Sequence, residues 1–368
     1  MQTERRLVPL ADGRDLDVLT VGPEDGFPLV VHEGTPGGLV PNGKIVDAAD
    51  ELGLRLVMTA RPGYEGSTPR PGRRVADVAG DVVQVLDALG AGQFVSIGFS
   101  GGGPHSLACA ALLPGRCLAA ASVAGVGPYG VEGLDFLAGM GPENVEEFTL
   151  AVRGADALTP YLEKEAAALG SISGEQIIES LGGLISRADA GVISGEFADD
   201  LAGSLRGAIR EGIAGWRDDD LAFAADWGFS LDEFAAPVAI CQGDQDMMVP
   251  FAHGRWLAAR IPGARFQVGA GARDVGGQPL AVGERDHHVL VALPDRNRRG
   301  QGVQAQPPVG REREVVVAPA RDPLPDGAAQ AAGQFVGELA VDHAGVGPGD
   351  QAAQGRDDLL ALDRAEHG

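Results

Sequence analysis

The chain is poor in cysteine, lysine and aromatic residues, and it has no long apolar run. Three cysteines, Cys109, Cys117 and Cys241, stand in 368 residues. Their number is odd and their spacing fits neither a zinc site nor a Cys-x-x-Cys pair, so no disulfide framework or metal knuckle is expected; they read as small buried residues in a reducing compartment. Lys44 and Lys164 are the two lysines among 29 basic residues, the rest being arginine, a bias that suggests a GC-rich coding sequence. The formal charge is −23. With no basic stripe to neutralise phosphates, a nucleic-acid partner is not expected, and the acidic balance reads as a solubility feature. No stretch of about 18 apolar residues occurs, so no membrane span is expected. The N-terminus, Met1-Gln2-Thr3-Glu4-Arg5-Arg6, runs into alternating polar and apolar residues rather than a signal-peptide core, which makes the cytoplasm the expected location.

What is present suits a globular protein: 44% hydrophobic and 22% charged residues, enough for a sizeable core. Apolar runs bounded by turn signals predict strands at Leu16–Val21, Pro28–His32, Leu54–Thr59, Phe94–Phe99 and Cys117–Val126. Helical spacing falls between them, at Ile45–Leu52, Val75–Leu89 and Gly101–Leu113. This alternation predicts a parallel sheet covered on both faces. From 129 to 230 no convincing strand occurs, and helices are predicted at Glu143–Val152, Pro160–Leu169, Gly174–Ile185 and Leu201–Ile213, a helical cap over the mouth of a site. Strands resume at Pro237–Cys241 and Ala264–Val268. The expected organisation is thus a core at 1–128, a cap at 129–230 and the rest of the core at 231–272.

Residues 273–368 differ in kind. Serine, threonine, isoleucine, lysine, tyrosine, tryptophan, methionine and cysteine are all missing there, and Phe335 is the one aromatic residue besides histidines. So little bulk predicts a disordered tail rather than a second domain.

The chemistry concentrates at Gly98-Phe99-Ser100-Gly101-Gly102, directly after the apolar run Phe94–Ile97. A strand that ends in a glycine-flanked serine and turns at once into a helix presents the hydroxyl at the sheet edge, in a turn too tight for side chains two residues either side. Acyl transfer at such a serine needs two N–H donors for the oxyanion, a histidine base and a carboxylate to orient it. The Gly101 N–H supplies one donor. His32-Glu33-Gly34-Thr35-Pro36-Gly37-Gly38, after an earlier strand, is placed to supply the other through the Thr35 N–H. The carboxylate is expected at Asp246, in Gly243-Asp244-Gln245-Asp246, with Asp244 as its rival.

On these motifs, together with Arg61-Pro62-Gly63-Tyr64-Glu65-Gly66-Ser67 and Gly103-Pro104-His105, residues 1–268 resemble the α/β-hydrolase superfamily, near its proline iminopeptidase-like and serine-esterase-like members. The resemblance implies an α/β-hydrolase fold: an eight-stranded, mostly parallel sheet with a helical cap inserted after the sixth strand. It also implies an oxyanion hole at Thr35 and Gly101. A serine at the elbow argues against the branches that use aspartate, the haloalkane dehalogenases and epoxide hydrolases.

One part of the pattern is missing. The resemblance implies a Gly-His pair in the loop after the last strand, near 272–276, where the chain reads Ala272-Arg273-Asp274-Val275-Gly276. The loss coincides with the change of composition, which predicts a slipped reading frame near 270–273; another frame of the gene should then encode Gly-His and an amphipathic helix. Of the seven histidines, His32 reads as structural, His105 as lying one turn into the elbow helix and pointing away from a base position, and His253 as opening the helix after the acid loop. His287 and His288 follow the acid in chain order, about 13 residues late, and are the remaining candidates for the base; His343 and His367 read as solvated.

Asp218-Asp219-Asp220 reads as a solvated cap edge rather than a metal site. The resemblance implies that cap acids hold a free amine, for which Glu143, Glu146, Glu147 and Asp218 are candidates. Trp216, Trp227 and Phe229 read as cap core. Gly101-Gly102-Gly103 lacks the lysine and spacing of a phosphate loop. The expected function is hydrolysis of a small ester or amide, including an N-terminal residue of a short peptide, through an acyl-serine intermediate, without a cofactor. A perhydrolase using the same triad is an allied reading. The alternative, drawn from the missing histidine, is a non-catalytic hydrolase-fold protein that binds a ligand under its cap, or an inactive product.

Overall fold

The computed structural model describes residues 1–269 except 185, 187–189, 191 and 192. The reading-frame expectation, the tail and His287, His288, His343 and His367 lie outside the described residues.

Eight strands form one sheet: β1 Thr3–Pro9, β2 Asp15–Val21, β3 Phe27–His32, β4 Leu54–Thr59, β5 Phe94–Phe99, β6 Cys117–Val123, β7 Val238–Gly243 and β8 Arg265–Gly269. Their order across the sheet is β1-β2-β4-β3-β5-β6-β7-β8. β2 pairs antiparallel with β1 and with β4, and every pairing from β4 to β8 is parallel. The mostly parallel eight-stranded sheet implied by the resemblance is therefore present. β3 and β4 are buried at every position, the signature of strands covered on both faces. β1 was not foreseen: its Thr3-Glu4-Arg5 start is exposed and only Val8 is buried, as an edge strand allows.

Helices cover the sheet: α1 Gly43–Glu51, α2 Val78–Ala88 and α3 Gly103–Leu112. The Asn42 side chain caps α1 by accepting from the Lys44 N–H at 3.0 Å. α2 buries Val78, Val82, Val85 and Leu86 along one stripe, each such side chain contributing about 1.5–3 kcal/mol of apolar transfer. The residues before α2, predicted to be part of it, form a separate 3-10 turn at Val75–Asp77.

Between β6 and β7 the chain leaves the sheet for α4 Pro142–Ala151, α5 Ala155–Leu169, α6 Ile177–Leu181, α7 Gly195–Ile209 and α8 Ala214–Phe223. Four sequence expectations need correction here. The helix expected at Pro160–Leu169 starts earlier, at Ala155. The strand at Cys117–Val126 stops at Val123 because Ala124 turns into the left-handed region (φ +51°). The helix at Gly174–Ile185 breaks into α6 between two 3-10 turns, the second starting at Gly182 (φ +50°). The helix expected at Leu201–Ile213 starts earlier, at Gly195, and ends at Ile209. α8 was not foreseen at all. Phe148 of α4 and Leu158 and Leu162 of α5 belong to the same hydrophobic cluster as the sheet, whereas Ile172, Ile177, Ile193, Ala198, Ala202 and Leu205 form a small cluster of their own. After β7 comes α9, Phe251–Arg260.

The register decides where loops emerge. His32 pairs with Gly98, Gly98 with Ser122, and Val123 with Cys241. The parallel strands β3, β5 and β7 therefore end along one edge, the edge at which open α/β sheets bind ligands.

Candidate active site

β5 ends at Phe99, and Ser100 begins a 3-10 turn, Ser100–Gly102, that runs directly into α3. Ser100 sits at φ +50°, a conformation that costs a non-glycine residue about 1–3 kcal/mol and is retained where surrounding structure enforces it. The enforcement is steric. A Cβ on Gly98 would run into the Gly102 carbonyl, and one on Gly102 into the His32 carbonyl, so the elbow closes only with glycine at both places. The loop after β3 passes beside the serine: a Cβ on Gly34 would lie 3.6 Å from Ser100 Cβ, and one on Gly101 would collide with the Thr35 side chain. Ser100, Gly101, Gly34 and Thr35 are thus brought together, and all four line one cavity of about 410 Å³.

Asp244 and Asp246 line the same cavity. Asp246 Oδ1 accepts the Met248 and Val249 N–H groups at 2.9 Å each, and its Oδ2 accepts Gln242 Nε2 at 3.0 Å. Asp244 Oδ1 is buried without a hydrogen-bond partner. Two carboxylates therefore face the cavity from the loop after β7, one firmly held and one not.

Among the described residues no histidine lines the cavity. His253 is fully buried in α9; its Nδ1 accepts the Gly127 N–H and its Nε2 donates to the Phe136 carbonyl, both at 2.9 Å. Burial pulls its pKa down to about 4. His32 packs 3.6 Å from Cys109 Sγ, and burial followed by the Arg61 charge lowers its pKa to about 3. His105 lies with its Nε2 3.5 Å from Asp219, and burial, then Arg61, push it well below the usual histidine range. All three are structural, neutral imidazoles. The cysteines are free and buried.

The triple aspartate requires the largest correction. Asp218, Asp219 and Asp220 are not a solvated edge; they are at most 3% exposed. Asp219 lies at the centre of an ion-pair cluster with Arg61 and Arg73, each at 2.6 Å. Burial alone would raise its pKa, but Arg61 and then Arg73 outweigh it and hold the carboxylate well below its ordinary range. Asp218 pairs with Arg217. Asp220 hydrogen-bonds to Glu147, and burial followed by the Glu147 charge raises its pKa well above the ordinary carboxylate range. Glu147 is raised by burial as well and accepts the Trp216 indole N–H at 2.8 Å.

Glu143, Glu147, Glu165 and Asp220 line the cavity; Lys44 is the one basic side chain among its described lining residues. Of the acids named from sequence, Glu143 and Glu147 are here, Glu146 borders a separate surface cleft, and Asp218 points elsewhere. Glu165 and Asp220 were missed. Trp216 lines the cavity, while Trp227 stacks on Phe229 in the main core (5.9 Å between centroids). No group of metal-ligating side chains occurs among the described residues, and none of their helices is long and apolar enough to cross a membrane.

Residues 28–275 match the alpha/beta hydrolase fold family. The chain belongs to that family. A curated relative, a non-heme chloroperoxidase of Streptomyces lividans, is 28% identical over 256 residues, covering 69% of this chain and 87% of that protein. A bromoperoxidase from Bacillus anthracis is similar in structure (TM-score 0.52, 23% identity, covering 72% of this chain and 91% of that one). An alpha/beta hydrolase fold protein from Chitinophaga pinensis aligns with TM-score 0.53 at 16% identity, over 73% and 89% of the two chains. This hydrolase-fold chain thus shares its fold with each of these proteins.

Proposed function

We propose that the chain is a serine hydrolase that cleaves a small ester or amide through an acyl-serine intermediate. The observation that carries this reading is Ser100: a serine held at φ +50° at the end of β5, beside the Gly34–Thr35 loop, in the wall of a cavity of about 410 Å³. Ser100 Oγ attacks the carbonyl carbon, and the carbonyl π electrons move onto oxygen. The Thr35 and Gly101 N–H groups hold that oxyanion; removing one such donor costs about 10²–10³ in rate. Asp246 orients the base. The base takes the Ser100 proton during attack and passes it to the alcohol or amine as the acyl bond to that group breaks and the carbonyl re-forms; water then attacks the acyl carbon and releases the acid from Ser100. No cofactor enters these steps. The base is expected beyond residue 269; its ordinary place near 272–276 carries no histidine, which leaves His287 and His288 as the next in chain order.

The acid-rich side of the cavity narrows the substrate. Glu147, its hydrogen-bonded neighbour Asp220 and the unpartnered Glu143 Oε2 present an acidic wall next to Trp216. An acyl group that carries an ammonium, as in an aminoacyl ester or the N-terminal residue of a short peptide, fits it best.

The test is turnover of an aminoacyl aryl ester against the matching acetyl ester by the full chain and by Ser100→Ala. Turnover lost in Ser100→Ala supports the reading. Ligand binding without turnover supports instead the non-catalytic binder. The chloroperoxidase relative favours a second reaction of the same acyl-serine, in which hydrogen peroxide replaces water as the attacking group and a peracid leaves; peroxide-dependent peracid formation distinguishes it.

A further inference from the structure

We propose that Asp219 is a positioning residue that sets the Thr35 N–H toward Ser100, so that oxyanion stabilisation requires α8 of the insertion to be seated against the loops that follow β3 and β4. The proposal rests on the reading of Thr35 and Gly101 given above.

Asp219 does not line the cavity and is 0% exposed, so it touches no substrate. Its partners are what single it out. Asp219 Oδ2 accepts Thr35 Oγ1 at 2.9 Å, Tyr64 OH at 2.8 Å and Arg61 Nη2 at 2.6 Å. Arg61 in turn donates through Nη1 to the Glu33 carbonyl at 2.6 Å and through Nη2 to the Gly34 carbonyl at 2.7 Å. The two carbonyls that precede Thr35 are therefore both clamped by a guanidinium whose own orientation Asp219 fixes.

A peptide unit is planar. In a trans unit the carbonyl and the following N–H point opposite ways. Gly34 C=O and Thr35 N–H share one unit. A Gly34 carbonyl directed at Arg61 directs the Thr35 N–H away from Arg61, while the loop backbone lies against Ser100. The Thr35 side chain, held by Asp219, also lies directly against Gly101, the other donor. One carboxylate thus governs both the direction of one donor and the spacing between the two. An anchor of α8 alone would not need this: Arg73, which pairs with the other Asp219 oxygen and donates to the Gly215 carbonyl, already ties α8 to the body. Because Asp219 comes from the insertion and Thr35 from the sheet edge, displacement of α8 would disarm the serine.

The experiment compares wild type, Asp219→Asn, Thr35→Val and Thr35→Ser in the full chain. Two readouts are taken: fluorophosphonate labelling of Ser100, and amide hydrogen exchange resolved to residues 33–36 and to β5. The proposal predicts that labelling slows about 10²-fold in Asp219→Asn and about 10-fold in Thr35→Val, and that Thr35→Ser, which keeps the hydroxyl, recovers most of what Thr35→Val loses. Exchange at 33–36 rises while β5 is unchanged. Folded variants with unchanged loop exchange and labelling overturn it, and so does an equal rise of exchange everywhere, which marks a merely structural role. Should Asp219→Asn fail to fold, Thr35→Val against Thr35→Ser decides by the same readouts. If wild-type Ser100 does not label, the serine-hydrolase reading falls, and loop exchange alone decides whether Asp219 positions the loop.

Discussion

The Trp216 indole donates to Glu147 across the insertion, 69 residues apart in the chain and 2.8 Å apart in space. This contact and the Glu147–Asp220 hydrogen bond orient the acidic wall toward the cavity that holds Ser100. Burial raises both carboxyls, Asp220 the more strongly, so their substitutions should differ. Glu147→Gln should raise KM for an aminoacyl aryl ester about 10–100-fold relative to the acetyl ester, the worth of one charged hydrogen bond. Asp220→Asn, whose amide mimics a protonated carboxyl, should change that ratio far less. Steady-state kinetics on the two esters checks both.

The two carboxylates after β7 make separable predictions. Asp246 is held by two backbone N–H groups and Gln242, as an orienting acid must be. Asp246→Asn should lower kcat/KM by about 10²–10⁴, and Asp244→Asn only slightly. The reverse result would assign the role to Asp244.

Two glycines test the elbow. Gly102→Ala places a Cβ against the His32 carbonyl and should destabilise the fold by about 1–3 kcal/mol. Gly80→Ala, on the exposed side of α2 with nothing within 4 Å, should stabilise it by about 0.5–1 kcal/mol. Calorimetric melting of the two variants gives the comparison.

Stability should fall on the acid side of neutrality. His32, His105 and His253 are neutral in the folded chain, with pKa values lowered by burial. Unfolding restores a pKa near 6.5. The unfolded chain then binds more protons below that pH, so stability is full above about 6.5 and declines as pH drops toward 4. Each histidine contributes a slope of about 1.4 kcal/mol per pH unit. The depressed Asp219 adds its own loss only lower, as pH falls below about 4. Urea midpoints at several pH values from 7.5 to 4.5 should fall steadily; equal midpoints would contradict the assignment.

Much of this was legible in the chain itself. β3, β4 and β5 read out because strands buried on both faces are apolar at nearly every position. The elbow read out because its glycines are steric necessities within five residues. β1 did not, since an edge strand can carry charge along its length. The meaning of Asp218–Asp220 was also hidden: three adjacent acids resemble a wet surface, and the groups that bury them, Arg61, Arg73 and Glu147, lie 70 or more residues away in sequence. Local pattern predicts faces and turns, whereas a buried charge is intelligible only with its distant partners. The base stays an expectation because the histidines that follow Asp246 in the tail lie beyond the described residues.

The most direct test of the central claim is to treat the full chain with a fluorophosphonate and map the adduct by peptide mass spectrometry. The account predicts a single adduct on Ser100, absent from Ser100→Ala. A folded protein that carries no adduct there, or carries it on another residue, would contradict it.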